Sequence, residues 1–241
     1  MTRPMPRPLL ALLAASALAL GAPALAAQTA VLGVRVGLDE NRLDGVAAWQ
    51  AEDRAALDRR GIPVAETDAF PAFLSVQAEA AVGLGPSTRV GAHVGYGSTS
   101  GRLAYADYSG SARADRLARR TFAGAHVERA VLRSGPASVW VGLGTRLSRV
   151  TVDYERRIVV GANEVEAVES SYTAWPLGVE PALAAELAAG PLATVRLQAG
   201  WEQPFGGRLS GSGPDRPAGA PRADWGGLRV GLGLAARLGG R

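Results

Sequence analysis

The sequence has no cysteine and no lysine. Without cysteine, disulfides are excluded and no lipid anchor on a thiol is expected. All 26 basic residues are arginines, which beside 31 glycines and 15 prolines reads as a GC-rich coding bias. The isoelectric point near 10.1 follows from arginine's high pKa and a net charge of only +4. No basic stripe stands out, so nucleic acid is not an expected partner. Aromatic residues make up 6% of the chain, so any belt of them is sparse. Past residue 27 there is no run of eighteen apolar residues, which leaves a helical membrane span unsupported. A strand-built span stays open, because a strand needs only about ten alternating residues.

What is present begins with a leader pattern. Arg3 and Arg7 precede an apolar run over residues 9–20, and Ala24-Leu25-Ala26 forms a small-x-small cleavage site. The run is too short for a bilayer. The expected division is a cleaved signal peptide over 1–27 and one exported domain over 28–241.

That domain is organised by a motif that occurs three times: Gly85-Pro86, Gly135-Pro136 and Gly190-Pro191. Proline presets φ and glycine tolerates unusual φ, so each pair reads as a hairpin tip. Each tip joins two runs of strict period-two alternation. In the first strand, 29–39, Leu32, Val34, Val36 and Leu38 take one face, and Gly33, Arg35, Gly37 and Asp39 the other. Seven more strands are expected over 72–84, 88–97, 119–133, 139–154, 175–187, 193–202 and 228–238. Their connections are a long segment over 40–71 with a short surface helix at 46–60, polar loops over 98–118 and 155–170, and a Gly/Pro/Ser loop over 206–222 that holds no core. The echo between Leu32–Leu38 and Leu228–Leu232 places the first and last strands side by side, which closes the sheet.

Tight turns on one rim and long loops on the other fit an outer-membrane barrel. The expected fold is all-β, an eight-stranded antiparallel up-and-down transmembrane β-barrel. Its inner face would carry Arg35, Gln77, Glu79, Arg89, His93, His126, Glu128, Arg146, Glu180, Glu186, Arg196, Gln198, Glu202, Arg229 and Arg237. Signs are nearly balanced, and buried charges must be paired or hydrated, so these residues are expected to plug the lumen as a structural network. His93 and His126 are the two conventional catalytic or metal-binding candidates, on consecutive strands near Glu79 and Glu128. They are expected to be satisfied interior residues. No catalytic residue, cofactor or metal is expected. Tyr96, Trp175 and Trp201 fall on the outer face and are expected to form an aromatic girdle at an interface.

The opening Leu32-Gly33-Val34-Arg35-Val36-Gly37-Leu38, followed by a polar loop, resembles the start of the OmpX/OmpA-like outer-membrane β-barrel family. The segment from Ser87-Thr88-Arg89-Val90 to Tyr96-Gly97 is similar to that family's second hairpin. The resemblance implies an eight-stranded barrel in the outer membrane, without enzymatic activity, acting through surface loops. The expected partners are outer-membrane lipid and an extracellular protein or polysaccharide, with the chain a monomer. The rival readings are a soluble periplasmic lipocalin-like barrel around a small apolar ligand, a narrow channel, and a barrel enzyme using the two histidines.

Overall fold

The computed structural model describes residues 30–40, 43–212 and 221–238. The expected leader over 1–27 lies outside the described residues, as does 213–220 of the last loop.

The strands are β1 (Ala30–Asp39), β2 (Ala65–Ala69), β3 (Phe73–Gly83), β4 (Thr88–Asp107), β5 (Gly110–Ser134), β6 (Ala137–Val160), β7 (Asn163–Ala174), β8 (Pro176–Ala188), β9 (Ala193–Gly206), β10 (Ser210–Ser212) and β11 (Gly227–Leu238), with one helix, α1 (Asp44–Arg59). All pairings are antiparallel. β1 lies between β3 and β11, and the order continues through β4, β5 and β6 on one side and β9 and β8 on the other. The ring closes because β6 pairs with β8 along its first half, Ala137 to Leu147, and with β7 along its second, Val150 to Val160. β7 and β8 are thus two halves of one strand position, interrupted at Trp175. Pro176, which brings no N–H to the ladder, opens the second half. Counted this way the ring has eight strand positions, with Ala30 opposite Leu238 and Asp39 opposite Arg229 at its seam.

The three Gly-Pro tips are tight turns with glycine at positive φ: 101° at Gly85, 56° at Gly135 and 93° at Gly190. The opposite rim is unlike the expectation. Residues 98–118 are not a loop. β4 runs up to Asp107, and β5 returns from Gly110 in unbroken register. Residues 155–170 likewise belong to β6 and β7, joined at Gly161. The tip of the first hairpin is tied by Asp107, whose carboxylate accepts from the Tyr105 hydroxyl (2.6 Å), the Ser109 hydroxyl (2.7 Å) and the Ser109 and Gly110 amides (2.8 and 3.1 Å). These bonds, the Tyr105 hydroxyl first, hold its carboxyl down to about 2.

The two hairpins extend past the ring on the side opposite the Gly-Pro turns. Their inner face, with Leu103, Ala112, Ala114, Ala118, Val150, Val152, Tyr154 and Tyr172, carries the apolar core. The expected surface helix exists over 44–59, with most of its residues exposed and one face buried. It lies under the hairpins, burying Val46, Trp49, Gln50 and Leu57. Leu209 and Trp225, from the end of the chain, complete this core, so the segment over 206–222 does contribute to one.

Below that core the polarity is reversed. The apolar residues of β1, β3, β8, β9 and β11 point outward and are exposed, among them Val34 (55%), Leu74 (67%), Leu183 (53%) and Leu234 (67%). The charged residues point into the ring.

Candidate functional site

Alternation along each strand places Arg35, Gln77, Arg89, His93, Glu128, Arg146, Glu180, Glu186, Arg196, Gln198, Glu202 and Arg229 in the buried interior. Glu79, His126 and Arg237 point the same way and are partly buried. The network has two knots. Nearer the Gly-Pro turns, Arg89 bridges Glu128 (2.5 Å) and Glu186 (2.6 Å), and Arg196 bridges the same two carboxylates. Nearer the helix, Glu202 accepts from Arg120, Arg146 and Arg229, Glu180 pairs with Arg146 (2.6 Å), and Asp39 pairs with Arg229 (3.0 Å). Gln198 accepts from Arg35 and from Arg196 and donates to Glu180 (3.4 Å), and so ties the two knots together.

Space for these long side chains comes from glycine. A Cβ on Gly91 would sit 2.6 Å from the His126 ring, one on Gly200 2.7 Å from Glu180, and one on Gly231 2.6 Å from Arg35. Inward glycines are therefore sockets for the residues of the neighbouring strand.

The two histidines lie between the knots, with Nδ1 to Nδ1 3.5 Å and rings stacked at 5.7 Å. His93 meets the edge of Phe122, and Phe122 is itself ringed by Arg146 (4.6 Å), Arg120 (5.1 Å) and Arg229 (5.2 Å). Among the described residues no three His, Asp or Glu side chains group as a metal site. The cavity beside the histidines holds about 20 Å³ and the one beside Asp39 about 10 Å³. Each is room for about one water.

Sequence reasoning missed Arg120, Phe122 and Arg116 as interior residues, and it placed Asp39 on the inner face without counting it in the network. The signal existed for all three missed residues. Counting back by twos from His126 and Gly124 gives Phe122, Arg120, Ala118 and Arg116, all inward. Arg116 is fully buried, pairs with Asp53 of α1, and stacks on Trp49 (4.6 Å) and Tyr154 (4.8 Å). The Tyr154 hydroxyl donates to the same Asp53 (2.8 Å), which pins the helix to the hairpins.

The outer face changes character along a single row. Tyr96, Thr121 and Arg149 are successive partners on β4, β5 and β6. On the turn side of that row the face reads Val94, Ala123 and Leu147. Beyond it come Ser98, Arg119 and Thr151, then Ser100, Leu117 and Asp153. Tyr96 (46%), Trp175 (37%) and Trp201 (38%) are exposed on the outer face. Above the row a groove of about 820 Å³ is lined by Arg102, Arg113, Asp115, Arg119, Asp153 and Glu169. Arg102 pairs with Asp115 and Arg119 with Asp153, both at 2.7 Å.

No protein-family profile and no curated protein matches this chain. Solved structures do. A major outer membrane protein from Thermus thermophilus aligns with a TM-score of 0.51 at 13% identity, over 87% of this chain and 99% of that one. Neisserial surface protein A aligns at 0.35 and 14% identity, over 87% and 96%. The outer membrane protease OmpT from Escherichia coli aligns at 0.39 and 11% identity, over 88% and 96%. The likeness to the Thermus protein is one of fold: this chain has the antiparallel ring architecture of outer-membrane β-barrel proteins.

Proposed function

We propose that this chain is an eight-stranded up-and-down barrel of the OmpX/OmpA-like kind, embedded in the outer membrane. In this reading it carries no catalytic activity and acts through the sheet and helix that stand above its ring. The observation that carries this is the continuous outward band of exposed Leu and Val around a charged interior. A soluble protein rarely leaves so large an apolar belt uncovered. Lipid is the natural cover for it, with the Gly-Pro turns on the periplasmic side and the hairpins outside. Tyr96, Trp175 and Trp201 then form the interfacial girdle.

The lipocalin-like alternative needs large apolar residues inside the ring, and they are outside. A channel needs a bore, and the interior voids beside the network are water-sized. We place its role at the exposed end, in interaction with an extracellular protein or polysaccharide, since a rigid scaffold tolerates recognition on its outer segments.

Cell fractionation with a heat-modifiability gel tests the reading. The expected result is recovery in the outer-membrane fraction, with a band that shifts on boiling. Recovery in the soluble periplasmic fraction without a shift would overturn it.

A further inference from the structure

The turn-side mouth of the ring holds a cavity of about 380 Å³, bounded by all three Gly-Pro turns and walled by Arg89, Arg133, Arg237, Trp140 and Glu186. We propose that this mouth binds a phosphate group, free or on a small carrier.

The first support is charge. Arg89 and Arg196 share Glu128 and Glu186, so that knot is balanced. Arg237 comes only to 4.0 Å from Glu186, which those two arginines already engage. Arg133 has no carboxylate partner among the described residues. Two cations at the mouth are therefore in excess, and a phosphate monoester carries nearly two negative charges at neutral pH. Guanidinium forks also match phosphate oxygens in pairs.

The second support is a deviation in the sheet. Strict alternation from Ala130, opposite Trp140, would turn Arg133 to the outer face. The register shifts between Ala130 and Leu132, so Val131 and Leu132 both stay outside, and Arg133 comes to lie opposite Ser138 on the inner face. Bulges at barrel rims commonly re-aim a side chain in this way. The re-aimed guanidinium stacks at 5.2 Å on Trp140, whose ring also carries Arg89 at 4.1 Å. Trp140 is fixed in turn, its indole N–H donating to Ser138 at 2.9 Å. Stacking holds the cation in place before a ligand arrives, which lowers the ordering cost of binding. A cavity of this volume is in the range of small-ligand sites, about 300–1,000 Å³, and leaves room for a carrier.

The inference rests on the inner face of the ring and stands apart from the membrane reading. Its test uses the full chain folded in uncharged detergent, titrated calorimetrically with inorganic phosphate and with glycerol 3-phosphate. The expected result is saturable binding that weakens about tenfold or more in R133Q/R237Q and is unchanged in R102Q/R113Q at the far end. Arg133→Gln alone, an exposed position, carries the test if the double variant does not fold. Absence of saturable binding for both probes, or equal binding by the rim variant, would overturn the proposal. Repeating the titration in phosphatidylcholine and phosphatidylglycerol bilayers separates the two sources. At high salt, which screens the charge of the second bilayer, a lipid headgroup as ligand abolishes uptake of the soluble probe there, and a soluble ligand leaves it unchanged.

Discussion

β6 passes through two regions with opposite chemistry. In its first half the inner face reads Gly144, Arg146 and Ser148 and the outer face Val141, Leu143 and Leu147. In its second half the inner face reads Val150, Val152 and Tyr154 and the outer face Arg149, Asp153 and Glu155. The pairing with β5 does not slip between the halves. Alternation is a property of the backbone, but which face is apolar is set by what surrounds it. The ring keeps its charges inside and its Leu and Val outside. The hairpins and α1 do the reverse and resemble an ordinary soluble core. The ring interior is therefore held by ion pairs in glycine sockets, and the upper part by apolar burial.

The sharpest way to break this comparison is at Glu202, which takes three arginines. Glu202→Ala leaves buried cations uncompensated and is expected to cost about 3–5 kcal/mol, read as a lowered midpoint of denaturant unfolding. Next comes a pair of changes on one face of one strand. Leu143→Arg, in the apolar band, is expected to cost about 2–4 kcal/mol in a bilayer. Thr151→Arg, eight residues further on, should stay within about 0.5 kcal/mol. Equal costs would mean that the two outer faces meet the same surroundings. Gly91→Ala fills the socket under His126 and should cost about 1–3 kcal/mol, measured the same way. The smallest effect is at Glu166 in the upper part. Burial acts to raise its carboxyl, but Arg60 (2.8 Å) and Arg156 (2.6 Å) override it and hold it below its ordinary value. Its folded pKa is depressed, so its contribution is present above the unfolded pKa and fades as pH falls through the folded one. The stability difference between Glu166→Gln and the parent chain, clear at neutral pH, should shrink as pH falls below the ordinary carboxylate range and disappear once the pH is below the depressed folded value.

The ring was legible because three local rules agreed in the sequence. Gly-Pro marked the turns, period two marked the strands, and the charged face was also the glycine face. The upper hairpins were not legible for a physical reason. Past Tyr96 and Thr121 the outer face turns polar, and the inner face is built from small residues such as Ala112, Ala114 and Ala118, whose apolar signal is weak. A reader who follows the outer Leu and Val sees the pattern stop and infers a loop. The position of α1 was hidden too, since helix propensity over 44–59 says nothing of the Trp49 and Asp53 contacts that draw it under the sheet. The pairings inside the lumen, such as Arg120 with Glu202, depend on which strands face each other across the ring, and one strand's alternation cannot give that.

The chain's lack of cysteine makes one measurement direct. Single cysteines at Leu143 and Asp153, on the same face of β6, can be exposed in intact cells to a membrane-impermeant maleimide. Asp153→Cys is expected to label and Leu143→Cys to stay unlabelled until the envelope is dissolved in denaturant. Equal labelling of the two in intact cells would contradict a lipid-covered ring beneath a water-exposed sheet.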